Sequence, residues 1–157
     1  MLPVVAGAVL AGCASAAAAT TSAPQSCPAR SKQLDRPSFD HPLASARTYP
    51  TPAAASRRLS FKPVVPRALG VAVRVDGNQA AIALVYGATC TRRFVVIEAA
   101  SPKVPNGGLA GARRIANGVG STIAWNQDGI TFTVSGPAPS FTMRKAERVA
   151  RVLAGHA

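Results

Sequence analysis

At 157 residues, with roughly the first fifty lacking any periodic apolar pattern, the chain has about 100 residues with which to build a core, and one small domain is expected. Eighteen Lys and Arg against six Asp and Glu give a net charge of +12, which favours an anionic partner or surface without choosing between nucleic acid, anionic lipid and acidic polymer. Only eight residues are aromatic, several at positions that read as core, and that argues against a platform for stacking nucleic-acid bases.

The first element is the apolar run Met1 to Gly12. As a helix it would reach roughly 18 Å, against about 30 Å of bilayer hydrocarbon, so it cannot span a membrane. It ends in Leu10-Ala11-Gly12-Cys13: a branched apolar residue, two small residues and a cysteine. This motif resembles the lipobox of bacterial lipoprotein signal peptides. The resemblance implies that residues 1–12 are a signal peptide, that Cys13 is acylated and becomes the mature N-terminus, and that the protein is lipid-anchored on the outer, extracytoplasmic side of the cell membrane. The chain has three cysteines, and acylation of one leaves an even pair. Cys27 and Cys90 could then close a disulfide, a loop of about 64 residues worth roughly 4 kcal/mol. The competing reading is two free thiols in a cytosolic protein, which places Cys27 awkwardly in polar Pro/Ser sequence.

Residues 13–50, rich in Ala, Ser, Thr and Pro, read as a tether. The domain, 51–157, opens at Thr51-Pro52, an N-cap residue followed by a proline suited to the first helical position, with a short helix through AAASRRL. Val71, Val73 and Val75 then alternate with Ala72 and Arg74, Asp76-Gly77-Asn78 reads as a turn, and Ile82, Leu84 and Tyr86 continue in step, which predicts a hairpin. RRFVVIEAA supplies a further strand, and 101–111 has the Pro and Gly density of a loop. ARRIANG and STIAWN are expected strands. Gln127-Asp128-Gly129 is a turn into ITFTVSG, where Ile130, Phe132 and Val134 alternate with Thr131, Thr133 and Ser135. Ser140 is positioned to cap a final helix to about Leu153, with Ala146, Val149, Ala150 and Leu153 on one side and Arg144, Lys145, Arg148 and Arg151 on the other. The fold expected is α+β: an antiparallel meander of about six strands, a short N-terminal helix, and a C-terminal helix packed on one face.

Within 53–153, the stretches AAASRRLSFKPVVPRAL, AIALVYG, FVVIEA, TIAWNQDGITFTVSG and RKAERVARVL resemble an envelope domain of bacteria. That domain occurs on the outer side of membrane-bound anti-sigma factors and in proteins related to outer-membrane lipoprotein-sorting carriers. None of the stretches is a catalytic signature, and the resemblance implies a binding or sensing module.

The residues offer little chemistry. His41 stands in the tether and His156 near the end, with no Gly-x-Ser-x-Gly or Ser-x-x-Lys; Thr142-x-x-Lys145 has the latter spacing with the wrong first residue. Acid–base work would need two of Asp76, Glu98, Asp128 and Glu147 to converge, although Asp76 and Asp128 both read as turn residues. Two isolated histidines and two distant cysteines lack zinc-ligand spacing, and the Gly-rich stretch 106–111 runs into a strand rather than the helix a phosphate cradle needs. The expectation is a monomeric non-enzyme without cofactor, metal or nucleic acid, whose stripe Arg144, Lys145, Arg148 and Arg151 meets anionic lipid or an envelope protein. Two rivals are a lipid carrier, whose Val71, Ile82, Leu84, Phe132 and Val134 would line an acyl-chain cavity, and a hydrolase with a nucleophile near a histidine.

Overall fold

The computed structural model describes residues 42–43, 45–89 and 92–156. They form an α+β domain: a seven-stranded antiparallel sheet with a short helix and a longer C-terminal helix on one face. In chain order the elements are β1 (Arg47–Tyr49), α1 (Pro52–Ser56), a 3-10 turn (Arg67–Leu69), β2 (Arg74–Gly77), β3 (Ala81–Tyr86), β4 (Phe94–Ala100), β5 (Arg113–Ala116), β6 (Gly120–Gln127), β7 (Ile130–Pro137) and α2 (Met143–Ala154).

The spatial order is β1-β2-β3-β4-β7-β6-β5. The sheet is therefore two meanders rather than one. After β4 the chain crosses to the far edge, lays down β5, and returns through β6 so that β7 closes against β4, with Val96 opposite Val134 and Glu98 opposite Phe132. The seventh strand, β1, arises from residues expected in the tether. It pairs with β2, and the Thr48 hydroxyl donates to Asp76 Oδ1 at 2.7 Å.

The turn between β6 and β7 follows the sequence closely. Gln127 pairs with Ile130, and Asp128 and Gly129 take φ of 52° and 76°. Two consecutive left-handed residues make the mirror-image turn whose twist matches that of the flanking strands. Thr51 caps α1 as expected, its hydroxyl accepting from the Ala54 amide at 3.1 Å, with Pro52 opening the helix.

Four local expectations are corrected. The first hairpin strand begins at Arg74 rather than Val71, because the 3-10 turn and Gly70, at φ 80°, send the chain outward and leave Val71 90 % exposed. Asp76 and Gly77 belong to β2, not to the turn; the bend is made after Asn78, whose side-chain oxygen accepts from the Ala80 and Ala81 amides, both at 2.9 Å. α1 stops at Ser56, short of the RRL expected within it. Thr142, not Ser140, occupies the N-cap of α2, since the Ser140 hydroxyl is already used on Pro137 O.

The main core lies between the sheet and its covering layer. Successive residues of a strand face opposite sides, so Val75, Ile82, Leu84, Tyr86, Val96, Ile123, Trp125, Phe132 and Val134 all share the helix side. Three pieces cover them. α1 lies against β1 and β2, α2 packs on β5, β6 and β7, and Leu59, Phe61, Val64, Leu69 and Ala72 of the connection from α1 to β2 fill the space between. The opposite side holds a smaller cluster, Ala83, Val85 and Val95 with Leu43 and Ile97 against it, so β3 is buried on both faces rather than alternating. No helix among the described residues is long and apolar enough to cross a membrane.

Candidate functional site

The outer surface of the covering layer is the most distinctive chemistry on the molecule. α2 forms because apolar residues recur at i, i+3, i+4 and i+7: Ala146, Val149, Ala150 and Leu153 are buried. The same period turns Arg144, Lys145, Arg148 and Arg151 to solvent. Arg144, Arg148 and Arg151, with Val152, line a shallow groove of about 390 Å³. Lys145 is not part of it; its Nζ donates back to Ser140 O at 2.6 Å and ties the start of the helix to the preceding loop. The 3-10 turn touches α2 and exposes its own Arg67; Lys62 of the same connection, and Arg57 and Arg58 after α1, are exposed as well.

Counter-charges are engaged elsewhere. Of the described acids, Asp76 pairs with Arg74 at 2.9 Å on the opposite face of the sheet, Glu147 pairs with Arg114 at 3.0 Å, Asp128 sits in the hairpin turn beside Asn106, and Glu98 is buried. None of them neutralises the arginine stripe. Guanidinium forks held on a rigid helix with no internal partner suit phosphate or carboxylate oxygens, which accept from them two at a time.

The four carboxylates do not converge on an acid–base pair. Asp76 faces the side opposite Glu98, since Asp76 aligns with Ala83 and Ile97 while Glu98 aligns with Ile82. His156 is exposed beyond α2, and Thr142 and Lys145 serve as cap position and loop tie. Among the described residues no group of three or more His, Cys, Asp or Glu comes close enough to hold a metal ion. Cys13, Cys27, Cys90 and His41 lie outside the described residues.

Two polar residues escape a reading based on motifs. Asn126 pins the long loop: its Nδ2 donates to Val104 O at 2.6 Å and Pro105 O at 3.2 Å, its Oδ1 accepts from the Thr131 hydroxyl, and its backbone oxygen receives the Gly107 and Gly108 amides. The Gly-rich stretch is thus a backbone seat for Asn126 rather than a cradle. Glu98 is fully buried in the main core. Its Oε2 accepts from the Val64 amide at 2.9 Å, and its Oε1 has no hydrogen-bond partner. Burial pushes its pKa up from 4.5 to about 7, against the pull of the Val64 bond. The Tyr86 hydroxyl, also without a partner, is pushed up to about 12 by burial and then by the charge of Glu98. The signal was present in FVVIEAA, where Glu98 falls two and four residues after the inward-facing Val96 and Phe94.

A scan against protein-family models found none that matches, and searches of curated proteins and of solved structures returned no match.

Proposed function

We propose that this chain is a lipid-anchored cell-envelope lipoprotein, held through Cys13, whose α+β domain is a non-enzymatic binding module that lays its helical layer on an anionic surface. The observation that carries the reading is the exposed stripe of Arg144, Arg148 and Arg151, which no described acid neutralises. The lipobox-like Leu10 to Cys13 supplies the anchor, and a domain kept near a bilayer meets phosphate headgroups at high local concentration. Each guanidinium near an acidic lipid surface contributes about 1 kcal/mol, so three contribute about 3 kcal/mol, or roughly a hundredfold in partition.

The rival carrier needs a void for an acyl chain. Ile82, Leu84, Val134, Ala146, Ala150 and Leu153 have no surface that a water molecule could reach, from outside or from an internal cavity, and Val71 stands in solvent. A packed core of this kind gives such a guest no room.

The test separates charge from anchor. The Cys13→Ser chain, with and without Arg144→Gln, Arg148→Gln and Arg151→Gln together, is sedimented with vesicles of phosphatidylglycerol and phosphatidylcholine, and with phosphatidylcholine alone. Binding to the acidic vesicles is expected to fall roughly a hundredfold in the triple variant and to weaken steeply with salt. Equal binding to both vesicle types, or no effect of the triple change, refutes the surface reading.

A further inference from the structure

Residues 61–72 cross the helix side of the sheet with little backbone bonding to what lies beneath. The Ser60 amide donates to Gln79 O at 3.3 Å at one end, and the Val73 amide to Val85 O at 2.8 Å at the other. Between these ends the 3-10 turn bonds only to itself, Leu69 to Pro66 and Gly70 to Arg67, and Pro63 and Pro66 have no amide hydrogen to give. Among the described residues, the hydrogen bond from this interior backbone to the sheet is Val64 N–H to Glu98 Oε2. Phe61, Val64, Leu69 and Ala72 are partly buried against the core, and of the segment's residues Pro66 alone is buried. The segment is therefore a strap, closed by partial apolar contact and one central latch.

A carboxyl is a suitable latch only while neutral. Protonated, Glu98 accepts from Val64 through one oxygen and carries no net charge in the core. Ionised, it would hold a full charge with zero exposure and a single amide donor, a desolvation cost of several kcal/mol unless water reaches it. Among the described residues no cation is paired with it, and the buried Arg93 stands just before β4, five residues away. Opposite it on β3 is Ile82, and Tyr86, four residues along the same face, stays neutral across the physiological range. β6, β7 and α1 contain no ionisable side chain. Lys62 and Arg67 of the strap, Arg144, Lys145, Arg148 and Arg151 of α2, and His156 are turned to solvent, while Glu147 is held by Arg114. Arg74 and Asp76 of β2 are paired on the other face of the sheet, and Arg113 and Arg114 of β5 are exposed at its far edge.

We propose that residues 61–72 form a pH-responsive strap, latched over the core by the protonated carboxyl of Glu98 and released when that proton leaves. Lifting the strap brings water to the Glu98 carboxylate, whose Oε1 lacks a partner when it is closed. The closed form binds the proton more tightly than the open form. The opening constant therefore rises as pH climbs above the ordinary carboxyl value of 4.5 and levels off past about 7, a gain of up to roughly 300-fold.

Amide hydrogen exchange of the full chain, corrected for intrinsic rates and measured from pH 5 to 8.5, tests this. The Val64 amide is expected to be at least tenfold less protected than the Ala146 amide of α2 at every pH, and to lose protection by roughly 70-fold across the range. In Glu98→Gln, whose amide oxygen can still accept from Val64, that pH dependence should disappear. A carbon-detected titration of the Glu98 carboxyl in the unaltered chain should give a midpoint near 7, and this readout does not depend on the variant folding. A Val64 amide as protected as Ala146, an unchanged pH profile in Glu98→Gln, or a carboxyl midpoint near 4.5 overturns the strap.

Discussion

Gly136 is closely confined by a side chain of the core, and Gly136→Ala is the substitution that measures that constraint. Gly136 lies on β7 on the helix side, two residues past Val134, and an added methyl would lie 2.6 Å from Phe141 Cβ and still closer to Cγ and Cδ1 of the same ring. Phe141 is buried and cannot turn its near end aside. Its ring stacks on Phe94 at 5.2 Å, and Phe94 stacks on Tyr86 at 5.0 Å. Relief requires the loop from Pro137 into α2 to move, because the Phe141 amide is bonded to Pro137 O at 2.9 Å. Overpacking of this kind costs about 1–3 kcal/mol, and loss of the stacked pair adds about 0.5–1.5 kcal/mol, so a destabilisation of about 2–4 kcal/mol is expected. Urea unfolding followed by the emission of Trp125 measures it directly. Phe141→Leu gives the second leg of a double-mutant cycle, and the pair should be less destabilising than the sum of the singles by about 1 kcal/mol or more. Strict additivity, or a Gly136→Ala cost below about 0.5 kcal/mol, refutes the claim that this glycine exists to seat Phe141.

Other outcomes follow from the same structure. Global stability should fall as pH rises from 5 to 8, because the folded protein holds the Glu98 proton up to about 7 while the unfolded chain releases it near 4.5; the loss is about 2–3 kcal/mol, read from urea midpoints and abolished in Glu98→Gln. Asn126→Ala removes both side-chain bonds to Val104 and Pro105 and the bond from Thr131. It should cost about 2 kcal/mol in urea unfolding and raise proteolysis at Lys103 in the freed loop. Cys13→Ser should shift the protein from the membrane to the soluble fraction of the producing bacterium, and an unchanged partition counts against the anchor.

The arginine stripe of α2 could be read in advance because a helix repeats every 3.6 residues, so the positions that bury Ala146, Val149, Ala150 and Leu153 also determine which side chains face water. The role of Glu98 could not. Alternation in FVVIEAA points the side chain inward, yet whether an inward carboxylate meets solvent, a cation or a bare core depends on residues 61–72, far away in the chain and devoid of periodicity. Asp76 fails for a related reason: Asp-Gly-Asn is good turn chemistry, but Arg74 two residues earlier on the same strand and Thr48 on the neighbouring strand hold the carboxylate, and the bend passes to Asn78.

What the sequence determined by itself is everything set by near neighbours: the α+β class, the capped start at Thr51 and Pro52, the left-handed turn at Asp128 and Gly129, the alternation of β7, and the two-sided final helix. The tertiary structure alone decided that β7 closes against β4, that Arg47 to Tyr49 forms a seventh strand, and that a strap covers a buried acid. The physical reason is range. Caps, turns and periodicity arise from contacts a few residues apart, whereas strand order and the state of a buried charge depend on which distant surfaces exclude water together.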